Sequence, residues 1–227
     1  MTLEIIRSIS WAALGLAAGC AFWVIWDETV HAQRMRIMYL VWPLVTLSGG
    51  PIAVWLYRKS RHYGNSTTPF PLAVASATCH CGAGCTLGDL VAESIAFSFP
   101  GVLVLFGLDT FFQQKIFATW VLDLVCAFLL GVVFQYFTIA PMRHLGLKAG
   151  IIAALKADAL SLIAWQTGMY AMMAAGQFAF FTPLTGKVMD ASSPEFWFLM
   201  QLAMIAGFFT SYPVNWLLLK IGIKERM

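Results

Sequence analysis

The sequence predicts an all-α integral membrane protein, with six transmembrane helices in one bundle, on three observations. The chain has 227 residues, 60% of them hydrophobic and 11% charged, where a soluble domain carries about 25% charge. Its apolar residues gather in six stretches close to the roughly 20 residues that a bilayer-crossing helix needs. Its basic residues divide unevenly between the connections that join those stretches.

The first stretch, Ser8 to Trp26, is longer than the h-region of a cleaved signal peptide, about 7–15 residues, and has no small-residue cleavage site before Asp27 and Glu28. It is expected to be a retained span. The second runs from Ile37 to Tyr57. The third is placed at Gly84 to Leu108, because Gly82 and Gly84 loosen the backbone and Pro69 and Pro71 suit a loop; a kink is expected at Pro100. The remaining three are Ile116 to Ile139, Gly150 to Ala175, and Phe196 to Leu219.

Six crossings put both termini on one side. That side would carry Arg7, Arg58, Lys59, Arg61, Arg143, Lys148, Lys156, Lys220, Lys224 and Arg226, against Arg34, Arg36, Lys115 and Lys187 on the other. The positive-inside rule then makes both termini cytoplasmic, in a bacterial inner membrane. Trp11, Trp26, Trp42, Trp55, Trp120, Trp197 and Trp216 lie near span ends, as interfacial belts require. Two parts are expected: residues 1–69, with two helices and a basic loop, and residues 70–227, a four-helix core. The net charge of +3 is small and scattered, which argues against a nucleic-acid partner. The lipid bilayer is the expected partner, with a homo-oligomer or a larger membrane complex as further options.

The chemistry concentrates between Cys79 and Glu93, which read CHCGAGCTLGDLVAE. Charges inside lipid are costly enough to be functional or paired, and thiolates with imidazole are ligands that transition metals favour. Cys81, Cys85, Asp89 and Glu93 are four apart throughout, so on a helix they form one stripe. Cys79 and His80 join the thiols only if the glycine-rich stretch is unwound. The plainer alternative is packing. Gly84 and Gly88 make a small-xxx-small pair, Cys is acceptable in such a seam, and Asp89 then pairs with Lys156. Thiol redox chemistry is disfavoured by a reducing cytoplasmic face.

A second cluster holds Lys156, Asp158 and Ser161, with Gln135, Tyr136, Tyr212 and Asn215 ending other spans at the same depth. It reads as a polar cavity or as inter-helix hydrogen bonding. Asp123 stands apart with Cys126 one turn away, and Asp27, Glu28 and His31 read as solvated loop charges. Met169, Met172, Met173, Met200 and Met204 suit copper(I), though methionine is also ordinary core filling.

The strings HCGAGCTLGD, FQYFTIAPMR, ALKADALSL and TSYPVNWLLLKIGIKE together resemble an uncharacterised bacterial membrane family, domain of unknown function 4396, from about His80 onward. The family carries no activity, so the resemblance implies no catalytic residue. The functional expectation is a membrane protein that binds or moves a soft metal cation, copper(I) first. Cys79, His80, Cys81 and Cys85 would be ligands, Asp89 and Glu93 the path below them, and Asp123, Lys156, Asp158, Tyr212 and Asn215 structural or pathway groups. The rivals are a scaffold or accessory subunit of a membrane complex, and a thiol- or quinone-linked oxidoreductase.

Overall fold

The computed structural model describes residues 2–33, 35–63 and 68–225. Among these the chain is helical: α1 (Thr2–Val30), α2 (Met38–His62), α3 (Phe70–Ser98), a 3-10 coil (Pro100–Phe106), α4 (Lys115–Arg143), α5 (Leu147–Ala174), a π-helical turn (Ala175–Phe181), α6 (Thr182–Thr185) and α7 (Pro194–Lys220). By length and apolar character, α1, α2, α4 and α7 are able to cross a membrane, and so is α3 if counted together with the coil after it. α5 is less apolar because Asp158, Ser161 and Gln166 interrupt it, but all three are buried against its neighbours.

α3 is the central helix. Nearly every side chain from Ala73 to Thr86 is buried, whichever way it points. A helix buried on all sides must be surrounded, and the run of Ala, Ser, Thr, Cys and Gly lets the neighbours come close. A Cβ on Gly84 would lie 2.8 Å from the Gly131 Cα, and one on Gly88 would lie 2.5 Å from the Ala127 Cα. The small-xxx-small seam is therefore the α3–α4 contact. The third helix begins at Phe70, with Pro71 in its first turn where proline is tolerated, and not at Gly84 as the sequence suggests. The glycines are packing positions and do not loosen the helix. At the other end the chain turns by 116° into the Pro100–Phe106 coil, so the straight helix ends at Ser98 and does not reach Leu108.

The neighbours alternate in direction. Gly84 meets Gly131 and Gly88 meets Ala127; the Tyr170 hydroxyl donates to the Trp120 carbonyl at 2.7 Å, and Ser211 to that of Ser161 at 3.0 Å. α3, α4, α5 and α7 thus run antiparallel in sequence order. Phe70 packs on Trp216 and Thr86 reaches Met204, which sets α7 antiparallel to α3. α1 is parallel to α7, with Arg7 bonded to Glu195 at 2.8 Å near the start of both.

α2 breaks the expected topology. Gly50 has φ 49° and ψ −132°, a conformation open to glycine, and Pro51 follows it. The two halves, 38–49 and 51–62, fold back on each other. Trp42 and Tyr57 stand edge to face with ring centroids 5.5 Å apart, whereas fifteen residues of straight helix would separate them by about 22 Å. The return is fastened at its base. Asp27 accepts from the Tyr57 hydroxyl at 2.6 Å and is paired with Arg61 and His31, and Gln33 donates to Tyr57. Asp27 and Glu28 are buried in the last turns of α1, not solvated in a loop.

The two halves of α2 therefore start and finish at the same end of the bundle. The starts of α1, α4 and α7 share one end of the bundle, with Thr2; the starts of α3 and α5 share the other, with both ends of α2 and with Glu225. The sequence carries the signal, Gly49-Gly50-Pro51, inside an apolar run long enough to pass for a span.

Candidate functional site

The six residues singled out between Cys79 and Glu93 are all buried on α3, but the continuous helix distributes them to different seams. Cys79 packs with Trp42, Ala53 and Tyr57 of the α2 hairpin. His80 faces α4, its Nε2 3.2 Å from the Thr138 hydroxyl, its ring against Phe134, and its Nδ1 without a hydrogen-bond partner among the described residues. Cys81 and Cys85, one turn apart, lie in the core with Ala127, Leu162 and Trp165, their thiols within hydrogen-bond reach of each other. The four soft ligands do not converge. Among the described residues, no group of three or more His, Cys, Asp and Glu side chains is arranged to hold a metal ion. The methionines pack: Met169, Met173, Met200 and Met204 belong to the same core as the two thiols.

Further along α3 the carboxyl groups meet partners the sequence did not suggest. Asp89 is 1% exposed and Asp123 is fully buried, and neither oxygen of either has a hydrogen-bond partner among the described residues. They lie within electrostatic reach of each other and of Glu93, and the Gln166 amide and the Tyr170 ring border them from α5. None of the three carboxyl groups forms an ion pair among the described residues. Unpaired charge so deep is expensive, so these groups are best held neutral or matched by something that comes and goes. The proposed pairing of Asp89 with Lys156 is not present: Lys156 is exposed on the far face of α5.

At the Thr2 end, Glu93 opens on a cavity of about 270 Å3, lined also by Lys115, Gln114, Thr119 and Asp190. Several waters fit in that space. Hydrogen bonds from the Ser192 hydroxyl at 2.5 Å and the Ser192 amide at 3.0 Å, with Lys115 and Lys187 nearby, hold the Asp190 carboxyl below its ordinary range. The mouth therefore carries an ionised Asp190 with the Lys115 ammonium beside it. A second cavity, about 160 Å3, brings Asp89 next to Ser48 and Leu47 at the tip of the α2 hairpin, where the Gln201 amide donates to the Leu47 carbonyl at 2.8 Å.

At the Glu225 end the chain supplies a group the sequence reading had counted only as a surface charge. Lys224, just past α7, turns back into the bundle and is 2% exposed. Its ammonium lies 2.7 Å from Asp158 Oδ1, 2.8 Å from Asn215 Oδ1 and 3.4 Å from the Ser161 hydroxyl. Asp158 and Asn215 thus share one partner. Tyr212 stands outside this network, donating to the Pro71 carbonyl at 3.1 Å. Buried Gln135, on α4, has no partner for its amide among the described residues.

Polar groups therefore follow one another through the middle of the bundle: Lys224 and Asp158, then His80 and the Cys81–Cys85 pair, then Asp89 with Gln166 and Asp123, then Glu93 and its cavity. No curated protein and no solved structure is significantly similar to the chain. One family model matches residues 72–224 and so takes in α3 to α7 with every group in this series; the chain belongs to the family described as Domain of unknown function (DUF4396).

Proposed function

We propose that this chain is a multi-pass membrane protein that passes a small cation along the polar series inside its bundle. The observation that carries the reading is the pair Asp89 and Asp123, buried carboxyl groups without a hydrogen-bond partner among the described residues, followed by Glu93 at a cavity that Lys115 and Asp190 also line. Buried ionisable groups at successive depths are what a conduction or exchange path requires. Among metals copper(I) is favoured, because the Cys81–Cys85 thiol pair suffices for an ion that accepts two soft ligands. Cys79 and His80 have no part in that pair. The proton is the other candidate cargo, since every group in the series can carry one.

The proposal includes an orientation. α1, α3, α4, α5 and α7 cross, and α2 enters and leaves from one side. The end with Glu225 then carries Arg36, Arg58, Lys59, Arg61, Arg143, Lys148, Lys156, Lys220 and Lys224, against Arg7, Lys115 and Lys187 at the other. This asymmetry supports a cytoplasmic Glu225 end and an outward-facing Glu93 cavity, in a bacterial inner membrane.

The test is flux into vesicles containing equal amounts of wild type, Glu93→Gln and Asp89→Asn, with copper(I) uptake and internal pH followed separately. Uptake of either cation by wild type, reduced at least tenfold in both variants, supports the path. No flux of either from correctly folded wild type would reject it and favour a scaffold.

A further inference from the structure

We propose that Asp158, Ser161 and Asn215 form a binding site for an alkali-metal cation, and that the Lys224 ammonium is its built-in occupant, which withdraws when a free cation enters. This site lies at the opposite end of the series from the Glu93 cavity, and the inference does not rest on flux through the bundle.

An ammonium has three donors, and here each meets one oxygen: a carboxylate, an amide carbonyl and a hydroxyl, at 2.7, 2.8 and 3.4 Å. These are hard oxygen donors of the kind that hold unsoftened cations, gathered in a place water does not reach. All three are fully buried. The cage is stiffened from outside its own ligands: Asn215 Nδ2 donates to the Ser211 hydroxyl at 2.9 Å, Ser211 to the Ser161 carbonyl at 3.0 Å, and Ser161 to Asp158 Oδ1 at 3.0 Å. Removing the lysine therefore leaves the oxygens in place.

A second observation separates this from a permanent ion pair. Asp158 Oδ2 is buried and has no hydrogen-bond partner among the described residues. It lies on the side of Gly131, where an added Cβ would come within 3.4 Å of it. Lys224 reaches only one face of the carboxylate, so the site has more oxygen than its occupant uses. A structural pair evolves toward full satisfaction, because each unbonded buried oxygen is costly.

The occupant also hangs on little. Lys224 follows the end of α7 in a short turn held by its own and the Ile223 amides on the Leu218 carbonyl, at 3.2 and 3.0 Å. Beyond it, Arg143 and Glu225 pair at 2.6 Å, both more than a third exposed, and such surface pairs are weak. The turn is able to swing out without disturbing α7. His80, electrostatically coupled to both Lys224 and Asp158, lies on the bundle side of the site, where an incoming cation would be felt.

The experiment uses the purified full chain and its Lys224→Met variant, melted in sodium, potassium or N-methylglucamine chloride at one ionic strength. Sodium or potassium is expected to raise the melting temperature of Lys224→Met by about 5–10 °C at a hundredfold excess over the dissociation constant. Neither wild type nor Lys224→Met/Asp158→Asn is expected to respond. In wild type, acylation of the Lys224 amine is expected to be several-fold faster in the small cation than in the bulky one. Identical melting of Lys224→Met in all three salts overturns the site. If that variant does not fold, cation-independent acylation of wild type overturns it instead.

Discussion

The indole of Trp42 and the ring of Tyr57 meet edge to face 5.5 Å apart, on two halves of what the sequence presents as one continuous apolar segment. That contact folds α2 back on itself, and it depends on Gly50; in the proposed topology it makes the number of crossings odd. At φ 49° and ψ −132° a side chain is strained, which typically costs about 1–3 kcal/mol. Gly50→Val is expected to lower stability by about that amount in a thermal melt, with Gly15→Ala, whose added Cβ meets open space, as the neutral control. Equal melting of both would mean the hairpin is not held by its turn.

Parity has its own readout. A reporter that works only outside the cytoplasm is expected to be active when joined before Thr2 and silent when joined after Glu225. Silence at both ends would restore an even number of crossings.

Asp27 gathers Tyr57, Arg61 and His31 at the base of the hairpin. Hydrogen bonds to a charged group contribute about 1.5–3 kcal/mol. Asp27→Ala is therefore expected to destabilise by about 2 kcal/mol and to speed proteolysis between residues 31 and 37. Unchanged cleavage there would show that the clasp is incidental.

For Asp89 the expected sign is opposite. Its carboxyl is buried with only the Gln166 amide beside it and no cation paired to it among the described residues, so an amide of the same shape removes a burden. Asp89→Asn is expected to melt at or above the wild-type temperature while losing transport, the pattern of a group kept for function at the expense of stability. A marked loss of stability would instead reveal a structural partner.

Lys156→Met gives the complementary check. Because Lys156 is exposed and away from Asp89, the double variant with Asp89→Asn is expected to show the sum of two separate effects. A coupling above about 0.5 kcal/mol would bring the pair back.

What the sequence allowed to be read follows from this physics. The later helices were legible because their apolar runs are bounded by charges and turns, as between Arg143 and Leu147. So was the seam of Gly84 and Gly88, since small residues four apart have one common use in lipid. The α2 hairpin was missed because hydropathy is blind to direction: residues 38–62 have the same composition whether straight or folded. The convergence of soft ligands failed because a helix sends adjacent positions to different neighbours, which takes Cys79 and His80 away from Cys85. Lys224 was read as a charge for the cytoplasmic surface because nothing in the local sequence reveals that a turn after α7 points inward.

The coil from Pro100 to Phe106 turns 116° away from α3 and leaves Phe99, Leu105 and Phe111 at 68%, 83% and 88% exposure. Aromatic and aliphatic groups so placed at a bundle end act as a float at the level of the lipid headgroups. If this end of the bundle lies at a membrane interface, as the proposed topology has it, the depth of the Glu93 cavity would follow the thickness of the bilayer, and access to it would be a property of the membrane as well as of the protein.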